Sequence, residues 1–116
     1  MPEPDELTDS LVSFAASCNE NERLMAMIRD WNRVLHIHAT DTGASHCVMT
    51  RDGSVSTEAS APAHADLAIH STADILAQVF YGELSPNEPY NSGSLRIEGP
   101  EDDIVRLDFV IAMLWE

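Results

Sequence analysis

Lysine is absent from this chain of 116 residues, so its six basic side chains are all arginine, set against 20 acidic residues for a formal net charge of −14 at pH 7. A field of that sign repels phosphate backbones and anionic headgroups, which argues against a nucleic-acid partner and closes the polybasic route to a membrane surface. Long apolar runs are missing too, and no stretch reaches the roughly 18 residues of a membrane span. The opening residues Met1-Pro2-Glu3-Pro4-Asp5-Glu6 are acidic and broken by proline, whereas a secretory signal needs a basic start and an apolar stretch. The expectation is a soluble, cytoplasmic protein with no stable membrane anchoring. Cysteine is scarce: Cys18 and Cys47 lack CxxC spacing, and neither a disulfide scaffold nor a thiolate metal site is expected from them. No Ser-His-Asp ordering, GxSxG elbow or phosphate-cradling glycine loop occurs, and there are no repeats. At this length the chain reads as one domain, with N-terminal helices over 1–30 and a sheet with covering helices over 31–116.

What is present is strong periodicity. Leu7, Leu11, Phe14, Ala15 and Cys18 recur at three- and four-residue steps and mark one face of a helix. A second helical stretch, Glu20 to about Asp30, carries Leu24, Met27, Ile28 and Trp31, with Asn19 as its N-cap and Glu22 three residues on. The period then changes to two. Leu35, Ile37 and Ala39 alternate with His36, His38 and Thr40 up to Asp41-Thr42-Gly43, read as a three-residue hairpin loop. Pairing Thr40 with Ala44 sets Ala39, Ile37 and Leu35 opposite Ser45, Cys47 and Met49. The same arithmetic at Arg51-Asp52-Gly53 pairs Thr50 with Ser54 and sets Val55, Thr57 and Ala59 beside Met49, Cys47 and Ser45. The two turns agree on one apolar face, which supports a three-stranded meander.

Ala65 to His70 reads as a fourth strand with Leu67 and Ile69 inward. Ser71 is the cap of the following helix, whose stripe is Ile75, Leu76, Val79 and Phe80 and whose stop is Gly82. After a loop containing Pro86 and Pro89, Ser94 to Glu98 forms a fifth strand, and Pro100 opens a last helix lined by Ile104, Leu107, Ile111 and Leu114. Glu101, Asp102 and Asp103 suit that helix's positive end. The fold class is α+β: a five-stranded, mostly antiparallel sheet covered on one face by helices.

The stretch from Ala65 to Gly99 carries the most specific pattern: Ala65-Asp66-Leu67 entering a strand, a capped helix, Gly82-Glu83-Leu84-Ser85-Pro86, the aromatic Tyr90, then Gly93-Ser94-Leu95-Arg96-Ile97-Glu98-Gly99. It resembles the sterol carrier protein-2 family, and the resemblance in element order extends over about Trp31 to Trp115. Pro100 departs from the Asn or Asp common there, and the turn from Thr50 to Val55 is short. The resemblance implies a lipid or other hydrophobic small molecule held between sheet and helices. Candidate contacts on the strands are Ile37, Cys47, Met49, Leu95 and Ile97. Those on the helices and the connecting loop are Leu76, Phe80, Leu107, Ile111, Leu114 and Tyr90. The loop from Gly82 to Gly93 would form the mouth, with Tyr90 pointing inward. The same side chains are also what a small domain needs as its core.

Other readings stay open. Asp108, between Leu107 and Ile111, and Tyr90 are the residues a tailoring enzyme would use to cyclise or isomerise a hydrophobic intermediate. A domain without ligand that dimerises or docks is the third reading, with Trp31 and Trp115 at its edge. In the register above His36, His38 and His46 share the outer sheet face, a set that suits zinc by type, but no carboxylate or thiolate stands beside them with ligand spacing. No metal, cofactor or catalytic residue is assigned. His64 and His70 read as surface residues, and Arg33, Arg96 or Arg106 could meet a ligand carboxylate at the pocket mouth.

Overall fold

The computed structural model describes residues 6–114. Helix α1 (Glu6–Asn19) buries Leu7, Leu11, Phe14, Ala15 and Cys18, the stripe set by their spacing. Helix α2 (Glu22–Met27) is shorter than its sequence pattern, and its N-cap is Asn21, whose side chain accepts a hydrogen bond from the Leu24 N–H. Asn19 does not cap it. The Asn19 amide is used elsewhere, donating to the Val55 carbonyl at 2.9 Å and accepting from the Val55 N–H at 2.8 Å.

Five strands follow: β1 (Arg33–Ala39), β2 (Ser45–Arg51), β3 (Ser54–Glu58), β4 (Leu67–Ser71) and β5 (Arg96–Glu98), the last entered after two further helices. Their order in the sheet is β3-β2-β1-β4-β5. All neighbours are antiparallel except the central pair, β1 and β4, which run parallel with Leu35 beside Leu67 and Ile37 beside Ile69.

The register of β2 differs from the sequence reading by one residue on each side. Ile37 faces His46 and Leu35 faces Val48, because the first loop has four residues. Thr40 is unavailable for β2, since its N–H continues the β4 ladder by donating to the Ser71 carbonyl at 2.8 Å. Asp41 is also engaged, accepting from the Ala73 N–H at 3.0 Å. The Gly43 N–H then closes the turn on the Ala39 carbonyl at 2.8 Å. At the second turn Arg51 pairs with Ser54, leaving a two-residue loop in which Asp52 (φ 54°) and Gly53 (φ 86°) both take the left-handed conformation that suits a tight hairpin. The two shifts are opposite in sense. They cancel for β1 and β3, whose inward residues are as read, and invert β2 alone. His46, Val48 and Thr50 therefore join the helix-covered face, and Ser45, Cys47 and Met49 lie on the other.

Helices cover the face bearing Leu35, Ile37, Val48, Val55, Leu67 and Ile69. Helix α3 (Ala73–Tyr81) is capped by Thr72 rather than Ser71, the Thr72 hydroxyl accepting from the Ile75 N–H at 3.3 Å. Ser71 belongs to β4 and spends its hydroxyl on the Ser94 carbonyl at 2.7 Å. Helices α1 and α3 meet through Phe14 and Phe80, edge to face at 5.0 Å between ring centroids. The loop expected around Pro86 and Pro89 contains a short helix, α4 (Asn87–Ser92), and the chain ends in α5 (Glu101–Leu114). No helix among the described residues is long and apolar enough to cross a membrane. Trp31 is a core residue, 4% exposed, while Trp115 lies outside the described residues.

Gly99 joins β5 to α5 at φ 147°. A Cβ there would collide with the buried side chain of Leu67, the first residue of β4, and come within 2.8 Å of the backbone carbonyl of Asp66 just before it. Replacing Gly99 by alanine should cost about 2 kcal/mol or more, read as a lowered urea midpoint at unchanged m-value.

Candidate functional site

A groove opens where α5 and the α3–α4 connection meet β5. One lobe, about 190 Å³, is lined by Pro86, Asn87 and Tyr90 from the α4 region, Ile97 from β5, and Ile104, Val105, Leu107, Asp108 and Ile111 from α5. A second lobe of about 260 Å³ is lined by Gly82, Leu84 and Ser85 together with Ala112, and shares Pro86, Asn87, Asp108 and Ile111 with the first. A sealed cavity of roughly 150 Å³ takes a benzene-sized guest, and drug-sized ligands occupy about 300 Å³ or more. Each lobe alone suits a ring or short branched chain, and the contiguous pair suits a longer one. Two residues of the lining are exposed and form a rim, Tyr90 at 48% and Val105 at 50%, and Phe109, one turn beyond Val105 on α5, is 62% exposed.

Local chemistry explains the walls. In the α4 wall the Leu95 N–H and the Ser92 hydroxyl both donate to the Pro89 carbonyl, at 3.0 and 3.1 Å, which turns the chain back toward β5. The other wall is α5, held near its first turn by Asp103. The Trp31 indole N–H donates to one Asp103 oxygen at 2.9 Å and the Arg33 guanidinium to the other at 3.0 Å. Arg106 lies 5.8 Å from the centre of the Trp31 ring and donates to the Met27 carbonyl at 3.2 Å. Burial works to raise the Asp103 carboxyl, but the hydrogen bonds from Trp31 and Arg33 and the charges of Arg33 and Arg106 outweigh it and hold it below the usual carboxylate value.

The candidate contacts named from sequence divide into several groups. Tyr90, Ile97, Leu107 and Ile111 line the groove. Ile37, Leu76, Phe80 and Leu95 are enclosed in the core, at most 3% exposed, and Leu114 packs against it in part. Cys47 and Met49 lie across the sheet, a consequence of the inverted β2. Asp108 is exposed at the groove. Val105 was missed, although its spacing from Phe109 on α5 marks a second apolar flank. None of the three arginines considered for a ligand carboxylate lines either lobe: Arg33 and Arg106 serve the Asp103 junction, and Arg96 pairs with Glu98 at 2.8 Å.

The outer sheet face carries a histidine cluster of altered membership. His46 is buried on the core side, and His70 takes its place beside His36 and His38, because β4 pairs with β1 in parallel register. His38 Nδ1 and His70 Nδ1 are 3.1 Å apart, His70 Nε2 meets a Glu98 oxygen at 3.2 Å, and His36 Nε2 meets the Ser45 hydroxyl at 2.9 Å. Partial burial, with His38 and His70 alongside, pulls the His36 imidazole below its ordinary value. Among the described residues no group of three His, Cys, Asp or Glu side chains is arranged to hold a metal ion. Cys18 is a buried free thiol pushed up to about 12 by desolvation, and Cys47 is free, buried and raised by burial and by Glu58.

A family model described as the SCP-2 sterol transfer family matches residues 14–104, from α1 through the groove's β5 wall into the first turn of α5. The chain belongs to that family. Solved structures repeat the SCP-2 fold at low identity. The sterol carrier protein domain 2 of Helicoverpa armigera gives a TM-score of 0.72 at 15% identity, over 99% of this chain and 92% of that one. Palmitated SCP2L2 of Aedes aegypti gives 0.66 at 15% identity, over 89% and 92%. The sec-alkylsulfatase Pisa1 from Pseudomonas sp. gives 0.63 at 16% identity over 79% of this chain, which spans 14% of that enzyme's length. No curated protein sequence matches the chain. At these identities the structural likeness shows the fold alone.

Two titrations follow from these surroundings. An unfolded aspartate titrates near 3.9, so Asp103, held lower in the fold, contributes stability above that pH and loses it as pH falls through its folded value. Asp103→Asn should cost about 1–3 kcal/mol at neutral pH and flatten the acid limb of the stability profile, measured by urea melts. For His36 the unfolded imidazole near 6.5 binds protons first, so stability should decline as pH drops through that value and level off below the folded one. His36→Gln should reduce that slope in melting curves taken on both sides of the unfolded value.

Proposed function

We propose that this SCP-2 chain binds a hydrophobic small molecule or the apolar part of a lipid in the groove between α4 and α5, and sequesters or presents it without transforming it. The observation that carries the reading is the open, largely apolar groove with Tyr90 and Val105 as its exposed rim. Such a rim faces water at a cost that burying a ligand against it removes. Family membership supports the reading, as does the palmitated state in which the Aedes aegypti relative was solved. Each buried methylene contributes about 0.8 kcal/mol, so a tail of some ten carbons supplies about 8 kcal/mol before ordering costs, and micromolar binding, about 8.2 kcal/mol net, needs polar contacts at the headgroup or a longer tail as well.

One observation favours a second reading. Phe109 and Val105 lie four residues apart on α5 and both project into solvent, a stripe that a second copy of the chain could cover. Sedimentation over a dilution series separates the two: a concentration-independent monomer that takes up a neutral fluorescent lipid supports the carrier, and a tight dimer that takes up none supports docking.

Tyr90 tests the groove directly. Its ring is half exposed, so Tyr90→Ala should lower stability by less than about 1 kcal/mol while weakening ligand retention about tenfold. Native mass spectrometry of protein taken from its source cells without refolding, compared with thermal melts, reads both. Retention unchanged per folded molecule would leave Tyr90 as a loop anchor and remove the groove's mouth from the reading.

A further inference from the structure

We propose that Asp108 makes this groove select ligands whose polar end is neutral or cationic and turn away free carboxylates. The inference rests on the groove being the ligand site and adds the class of headgroup it accepts.

Asp108 belongs to the short set of residues that line both lobes, so a ligand spanning the groove passes it wherever its headgroup rests. It is the one charged side chain in the lining of either lobe. The arginines that would reverse this are committed elsewhere: Arg33 to Asp103, Arg106 to the Met27 carbonyl beside Trp31, and Arg96 to Glu98 on the outer side of β5. The remaining polar side chains of the lining, Ser85, Asn87 and Tyr90, include donors and acceptors suited to a hydroxyl, carbonyl or amine, and none brings positive charge. A carboxylate drawn into the groove by its tail would lie near Asp108 without a cation, in the field of a chain carrying −14. An ammonium there would find a partner, and an alcohol would meet neither penalty nor attraction of charge. Asp108 is exposed, so its effect is transmitted partly through water, and the discrimination is on the order of tenfold rather than thousands.

The test displaces the neutral dye N-phenyl-1-naphthylamine with an alkanol, an alkylamine and an alkanoate of equal chain length, below their aggregation limits at neutral pH. The wild-type chain should bind the alkanoate about tenfold more weakly than the alkanol, about 1.4 kcal/mol. Asp108→Asn should shrink that gap to about threefold or less, and Asp108→Arg should place the alkanoate ahead of the alkylamine. Glu20→Gln removes the same charge from an exposed position away from the groove and should leave the ratio as in the wild type. Equal binding of alkanoate and alkanol by the wild type, ratios that ignore Asp108→Arg, or an equal shift from Glu20→Gln would each overturn the selection by Asp108 while the groove stood. Failure of the wild type to bind the dye or any of the three ligands would overturn the groove reading and this inference with it.

Discussion

Asp103 sits where the last helix meets the start of the sheet, and the groove keeps its shape because that junction is held. Removing a carboxylate from water costs several kcal/mol, and here the cost is met by the Trp31 indole, the Arg33 guanidinium and the nearby charge of Arg106. The contact spans 72 residues between Trp31 and Asp103, so it ties the two ends of the sheet-and-helix unit together. It anchors α5 along the flank facing α2, and leaves the flank bearing Val105, Asp108 and Phe109 without a comparable clamp. One helix thereby has a tethered side and an open side.

The place of the groove follows from how few apolar side chains a chain of this size has to distribute. Leu24, Ile28, Ile37, Leu76 and Phe80 are fully enclosed between the sheet and its helices, with nearly all their surface removed from water. A cavity in that layer would cost stability in proportion to its volume. At the sheet's edge, where β5 is only three residues long and α4 only six, the covering is incomplete without any core contact being given up.

Periodicity made the two N-terminal helices, the five strands and the last helix legible, because Leu7 to Cys18 and Leu35 to Ala39 have unambiguous spacing. Turn length was not legible, because it is decided by distant partners. Thr40 looks like the end of a hairpin until Ser71 claims its N–H, and Asp41 looks like a turn residue until the start of α3 claims its carboxylate. Agreement between the two hairpins was an unsafe check, since equal and opposite errors leave the outer strands correct. The same misreading put His46, Cys47 and Met49 on the wrong faces, while the place of His70 beside His38 depended on the β1–β4 pairing, which no local pattern announces. The caps failed differently: Asn19 and Ser71 have the right chemistry, and so do Asn21 and Thr72 beside them, but β3 and the Ser94 carbonyl compete for the first of each pair. Three of the candidate contacts that line the groove, Ile97, Leu107 and Ile111, were legible because edge residues on α5 and β5 are read from the same stripe as the core, and the fourth, Tyr90, stood out as the aromatic of the connecting segment.

The parallel pairing of β1 with β4 also sets an order of events for the folding chain. The β1–β2 and β2–β3 hairpins close over loops of four and two residues and form on the microsecond scale. Bringing Leu67 beside Leu35 instead closes 32 residues of chain, an entropy cost of about 3 kcal/mol that is incurred before any contact across the seam compensates. Until β4 docks, the β1 edge stays open and Thr40 is free to join the wrong hairpin register, so the slow seam in the middle of the sheet also proofreads the fast turn at its end.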